Sequence, residues 1–213
     1  MEQAIDPRGF AVVVVGASYG GVEAMQKLVA DLPATIPAAI FAVLHVGPHA
    51  SQFPELLNDG SALPAHHARH GELILPGNIY VAPPDHHLLV RPQHVALSRG
   101  PRENWTRPAI DPLFRSAAKS YGPAVVGVIL TGRLNDGTAG LFDIKRKGGI
   151  TMVQDPSDAL CPSMPSSALK HVAVDHCVGL ADMPPILFQV SKQIALRLQE
   201  SSRAAATGGP FHA

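Results

Sequence analysis

The sequence predicts a single α/β domain: an open, doubly wound, mostly parallel sheet with helices on both faces. Two runs of small and β-branched residues, Ala11–Gly16 (AVVVVG) and Ala124–Leu130 (AVVGVIL), carry no polar alternation, which suits strands covered on both sides. The first run is followed by apolar residues at helical spacing and then by another apolar run, Ala38–Val46. Strand, helix, strand is the parallel crossover unit, right-handed almost without exception. The chain has 213 residues, 46% of them hydrophobic, enough for one sizeable core, and no linker divides it.

The elements follow in order. Val22, Met25, Leu28, Val29 and Leu32 mark one face of a helix over Val22–Leu32, closed by Pro33. Asn58–His70 reads as loop. Leu73–Pro76, Ile79–Ala82, Leu88–Val90 and His94–Leu97 read as short strands or hairpins separated by turn residues. Ile110–Tyr121 reads as a helix with Asp111-Pro112 at its start. Ala124–Leu130 is the second strongly buried strand. A helix covers Leu141–Lys147 and ends at Gly148-Gly149. Ile150–Gln154 and Ala173–Val178 read as strands, and Pro184–Gln199 as the last helix. From Ser201 the chain is built mostly of small residues, and residues 201–213 read as a disordered tail.

Formal net charge is zero, so no basic surplus points to nucleic acid or a membrane surface. Arg91, Arg99, Arg102 and Arg107 nevertheless gather locally. No apolar run approaches the roughly 20 residues of a bilayer span, and Met1–Gly9 lacks the basic-then-apolar pattern of a secretion signal. Cys161 and Cys177 read as reduced thiols of a cytoplasmic chain.

In a doubly wound sheet, ligands sit beyond the carboxyl ends of the strands. Three reactive side chains fall there: Ser18 after the first strand, His45 at the end of the second, and Asp136 in the loop TGRLNDG after Ala124–Leu130. Serine, histidine and aspartate are the parts of an activated nucleophile: imidazole takes the hydroxyl proton, and the carboxylate orients the ring and stabilises its cation. Taken singly, each has an ordinary structural explanation, as a helix cap, a hydrogen-bonded histidine and a turn residue. Their joint placement at strand ends is what favours chemistry.

Gly16-Ala17-Ser18-Tyr19-Gly20 also matches the G-x-S-x-G turn of α/β-hydrolases. However, only one strand precedes Ser18, and the order is serine, histidine, acid. The glycine-rich turn resembles a dinucleotide site as well, but the second strand ends in His45, where that site needs an acidic residue for the ribose. The histidines His66, His67, His70, His86 and His87 form no H-E-x-x-H pattern and read as surface or hydrogen-bonded residues, not metal ligands. No cofactor is called for.

With these motifs in hand, the chain resembles the catalytic domain of the CheB-type chemotaxis protein-glutamate methylesterases. The family's G-A-S-x-G-G turn is Gly16–Gly21 here, its histidine lies in Leu44-His45-Val46, and its L-T-G-x-x-x-D-G loop is Leu130–Gly137. Ile79–His87, Arg107–Phe114 and Gly148–Pro156 look like the family too, and the similarity runs from about Val12 to Leu198. The resemblance implies a catalytic domain over residues 10–200 and a catalytic triad of Ser18, His45 and Asp136. It also implies an oxyanion hole from the backbone N–H groups of Tyr19 and Arg133, with hydrolysis of glutamate methyl esters on chemotaxis receptors and deamidation of receptor glutamines as the reactions. Arg99, Arg102 and Arg107, with Arg133, are expected to border the cleft and bind acidic receptor helices. A catalytically inactive receptor-binding or signalling module of the same fold is the alternative.

Departures from the family pattern are Tyr19 for threonine, Arg133 for methionine, and Ser163 and Ser166 for the frequent glycine and arginine around Met164-Pro165. Family members typically carry a phosphorylatable receiver domain ahead of the esterase domain. The few residues before Val12 leave no room for one, nor do those after Leu198. The expectation is a stand-alone enzyme active without phosphorylation, with a separate receiver protein in trans or a domain excised from a longer protein as the alternatives.

Overall fold

A computed structural model describes residues 9–45 and 51–207. Nine strands and six α-helices follow one another along them: β1 (Ala11–Ala17), α1 (Gly21–Ala30), β2 (Ala38–Leu44), α2 (Phe53–Asn58), β3 (Ala65–His67), β4 (Ile79–Val81), β5 (His87–Arg91), β6 (His94–Ser98), α3 (Ile110–Tyr121), β7 (Val125–Ile129), α4 (Thr138–Arg146), β8 (Ile150–Gln154), α5 (Ser163–His171), β9 (His176–Val178) and α6 (Met183–Thr207). Seven strands form one parallel sheet in the order β3-β4-β2-β1-β7-β8-β9, while β5 and β6 pair as a separate antiparallel hairpin.

The central strands are buried along their whole length because both faces are covered. Ala11, Val13 and Val15 of β1 face Met25 and Leu28 of α1 and Leu187 and Ile194 of α6. Val12 and Val14 face the other layer, with Leu113 and Phe114 of α3, Leu141 of α4 and Leu88 of the hairpin. Adjacent residues of one strand thus feed opposite cores, as a pleated strand requires. This is why the run AVVVVG is apolar without alternation.

Several elements differ from the sequence reading. The stretch read as loop, Asn58–His70, contains the end of α2 and all of the edge strand β3. Asn58 substitutes for a peptide group there: its Nδ2 donates to Ala65 O at 2.9 Å, and its Oδ1 accepts from Ala65 N at 2.7 Å. α5 has no counterpart in the sequence reading. It buries Met164, Pro165 and Ala168, too few apolar positions to show a period. Of Ala173–Val178 only β9 is extended, and Val46 lies outside the described residues. The stretch read as tail continues α6 through Thr207, since Arg203-Ala204-Ala205-Ala206 is strongly helix-forming sequence. Residues 208–213 lie outside the described residues.

Candidate active site

The chain builds β1 and β2, adds β4 and β3 beyond β2, and then crosses to β7 on the other side of β1. The carboxyl ends of β2, β1 and β7 therefore lie side by side at the point where the winding reverses, where a doubly wound sheet opens a crevice. Ser18 follows β1, His45 follows β2, and Asp136 lies in the loop after β7. Residues distant in sequence meet because their strands are neighbours.

Ser18 sits in a tight turn. Its N–H donates to Thr131 O at 3.0 Å and its carbonyl accepts from Gly21 N at 2.9 Å. Gly20 then opens α1 with φ of 78°, a left-handed conformation that glycine adopts without steric cost. The loop after β7 presses against this turn. A Cβ at Gly132 would lie 2.2 Å from Met164 Sδ and 2.9 Å from Ser18 Cβ, so a glycine is required for the two loops and α5 to meet.

His45 links the other two side chains. Its Nδ1 lies 3.1 Å from Ser18 Oγ and its Nε2 lies 2.7 Å from Asp136 Oδ2. An ionised carboxylate only accepts hydrogen bonds, so Nε2 carries the proton and Nδ1 presents its lone pair to the serine hydroxyl. The ring is reversed relative to the chymotrypsin arrangement, with the same division of labour between its nitrogens.

Asp136 is 2% exposed and receives a full set of donors. Its Oδ2 also accepts from Ile110 N at 2.7 Å; its Oδ1 accepts from Asp111 N at 3.1 Å and from Asn104 Nδ2 at 2.6 Å. Ile110 and Asp111 are the first residues of α3, whose N-cap Ala109 has no side chain to offer. Asp136 therefore caps α3 from a remote loop and sits at the positive end of its dipole. Burial pushes the Asp136 carboxyl upward, but hydrogen bonds from His45, Ile110 N–H and Asn104, with the attraction of His45, outweigh it and hold the group below the ordinary range.

Asp111 lies beside it with the opposite balance. Burial first, and then repulsion from Asp136, raise its pKa against hydrogen bonds from Gly140 N–H and Asn104. Asn104 stands between the two acids, its Nδ2 donating to Asp136 Oδ1 and, at 2.9 Å, to Asp111 Oδ2. Sequence reasoning missed Asn104. Nothing distinguishes it in the polar stretch Arg102–Arg107. Only the fold reveals its backbone φ of 47°, which asparagine tolerates, and its proximity to Asp136.

The N–H groups of Ser18, Thr131 and Gly132 are taken by Thr131 O, Gln154 Oε1 and Cys161 O. Those of Tyr19 and Arg133 have no acceptor among the described residues, and the Arg133 guanidinium lies 4.8 Å from the centre of the Tyr19 ring. Tyr19 and Arg133 thus form a cation–π pair.

The remaining arginines serve differently. Arg107 donates from Nε and Nη2 to Asp85 Oδ1 at 3.0 and 2.7 Å, and from Nη1 to the carbonyls of Arg99 and Gly100. Arg107 holds the Asp85 carboxyl below its usual range. Its guanidinium ties down the loop entering α3, an occupation that a substrate-binding reading of Arg107 does not include. Arg99 donates to His86 Nε2 at 3.1 Å, and Arg102 is exposed. Among the histidines, His66 meets Glu72, His67 meets Ser51 O, His70 accepts from Leu97 N–H, and His87 bridges Pro101 O and Ala109 N–H. Among the described residues, no three potential ligands group as a metal site. Cys161 and Cys177 are unpaired with each other, and no described helix is long and apolar enough to cross a membrane.

A family model described as CheB methylesterase matches residues 13–187. The chain is 39% identical over 193 residues to a protein-glutamate methylesterase/protein-glutamine glutaminase of Photorhabdus laumondii, covering 88% of this chain and 55% of that one. It is 40% identical over 177 residues to the protein of the same name from Paraburkholderia xenovorans, covering 81% of this chain and 49% of that one. A putative enzyme of that name from Leptospira interrogans is 35% identical over 185 residues, 86% of this chain and 96% of that one. The crystal structure of the Thermotoga maritima CheB methylesterase catalytic domain superposes with a TM-score of 0.82 at 31% identity, over 84% of this chain and 98% of that chain. The chain spans about half the length of the Photorhabdus and Paraburkholderia relatives.

Proposed function

The chain belongs to the CheB methylesterase family, and from that premise we propose that it hydrolyses methyl esters on glutamate side chains of methyl-accepting chemotaxis receptors in the cytoplasm. Ser18 is the nucleophile, His45 the general base and acid, and Asp136 the orienting carboxylate. The observation that carries this reading is the hydrogen-bonded run from Ser18 Oγ through His45 to buried Asp136.

The reaction is acyl transfer in two stages. Ser18 Oγ attacks the γ-carbonyl while His45 Nδ1 takes its proton. The N–H groups of Tyr19 and Arg133 receive the oxyanion, with the N-terminus of α1 adding positive potential. His45 returns the proton to the departing methanol. Water, activated by the same ring, then releases the glutamate carboxylate. The same steps with ammonia leaving deamidate a receptor glutamine. Asp136 keeps the ring in the tautomer that can accept at Nδ1, and its depressed pKa keeps it ionised as it does so.

The test is methanol release from a methylated cytoplasmic receptor fragment by the purified chain. Release that is saturable in receptor, and absent with Ser18→Ala, supports the reading. Failure to release methanol under conditions where the folded chain engages the fragment would refute it.

A further inference from the structure

Trp105 is the single tryptophan of the chain, and it is 89% exposed. A bare indole of this kind is the side chain most often found as a binding anchor. It is presented deliberately. Glu103 N–H donates to Thr106 O at 3.2 Å and Thr106 N–H to Glu103 O at 2.9 Å, closing a four-residue turn. Its central residues Asn104 and Trp105 both have positive φ, at 47° and 66°, the pattern of a type I′ turn, which favours Asn-Gly. Asparagine fits its position. Tryptophan at the glycine position costs on the order of 1–2 kcal/mol of backbone strain, and strain of this sort persists where the side chain has a use.

The turn is also stiff and lies at the candidate active site. Glu103 pairs with Arg115 of α3 at 2.6 Å, and Asn104, the residue beside the indole, donates to Asp136. On the loop that carries Asp136, Leu134 is 70% exposed, also with positive φ. Leu160 is 71% exposed and packs against Gly20, next to Tyr19. Exposed apolar side chains thus stand around a polar catalytic centre. Arg102 and Arg133, both exposed, have no ion-pair partner among the described residues.

We infer that Trp105, with Leu134 on the neighbouring Asp136 loop, is the docking anchor for the polypeptide segment that carries the ester, a segment with an apolar flank and acidic neighbours. The occupant is set by position: the turn that carries Trp105 also holds Asp136, which is linked through His45 to Ser18, and the exposed Arg102 matches an acidic chain. The inference rests on the proposed methylesterase reading and adds a specificity residue to it.

Trp105→Gly tests it, because the resulting Asn-Gly pair suits the turn and removes only the indole. The variant is expected to unfold at a denaturant concentration no lower than the parent. Its KM for the methylated, tryptophan-free cytoplasmic receptor fragment is expected to rise roughly 30-fold with kcat retained, the size of a hot-spot loss. In the Ser18→Ala chain, the tryptophan emission should move to shorter wavelength and become protected from acrylamide as the fragment is added. An unchanged KM in a folded Trp105→Gly protein that still releases methanol overturns the anchor while leaving the methylesterase reading standing. An emission shift produced by raising the chain's own concentration, or by anionic lipid vesicles, with none from the fragment, also overturns it. Absence of methanol release by the parent chain would instead defeat the underlying function.

Discussion

Asn104→Gly probes how Asp136, the proposed orienting carboxylate, is held. Glycine accepts the φ of 47°, so the substitution deletes the carboxamide and spares the turn. Two hydrogen bonds vanish, to Asp136 at 2.6 Å and to Asp111 at 2.9 Å. Asp136 keeps the Ile110 and Asp111 N–H groups and His45, so it stays near the ring but swings more freely. A hydrogen bond to a charged group is worth about 1.5–3 kcal/mol. If that much is lost from orientation of the imidazole in the transition state, kcat falls about ten- to hundredfold, with KM little changed because Asn104 does not reach the serine. The pH profile supplies an independent reading. Asn104 is among the groups that lower the Asp136 pKa against burial. Without it that pKa rises, so protonation of the carboxylate, whose ionised form is the working one, removes activity at a higher pH than in the parent. The assay is methanol release from the methylated receptor fragment across pH. A folded Asn104→Gly protein with parental kcat and parental loss of activity in acid would refute the reasoning.

Two further substitutions separate catalysis from stability. Asp136→Asn should lower kcat by about 10⁴ with little effect on KM, since an amide does not hold the ring in the productive tautomer; single-turnover methanol release with the folded variant measures it. Asp175→Ala should cost about 2 kcal/mol of stability, because Asp175 Oδ2 accepts from Thr151 N and Thr151 Oγ1, both at 2.9 Å, and its Oδ1 meets Lys145 Nζ. Burial raises the Asp175 pKa, but those bonds and Lys145 outweigh it and lower it. A depressed folded-state pKa gives stability that is present above the unfolded value of about 3.9 and is lost as pH falls through the folded one. Urea melts of parent and variant should therefore differ by a constant amount from pH 7 to about 4 and converge below that.

Much of this molecule was legible in the chain because its central strands are covered on both faces. β1, β2, β7 and α3 announce themselves as unbroken apolar runs or a clear helical period. Ser18, His45 and Asp136 stand out because each directly follows such a strand or its short loop. The order of strands is not written in any local pattern. That β2, β1 and β7 lie side by side follows from the reversal of winding, which only the assembled sheet displays. Asn104 was illegible for a different reason. Its role depends on a backbone conformation and on the approach of a loop from β7, neither of which leaves a periodic trace. The same holds for β3, a three-residue edge strand fastened by Asn58, and for α5, whose buried positions are too few to form a stripe. Arg107 shows the converse: a charge that looks available in sequence is engaged by Asp85 and two carbonyls.

The central claim is that Ser18 is the acylated nucleophile. Its most direct test is the methanol released from a methylated cytoplasmic receptor fragment by the parent chain and by Ser18→Ala, with both proteins shown to have the same melting transition. The account predicts rapid release by the parent and a loss on the order of 10⁶ in turnover for the variant. Methanol release by folded Ser18→Ala at a rate near the parent's would contradict it.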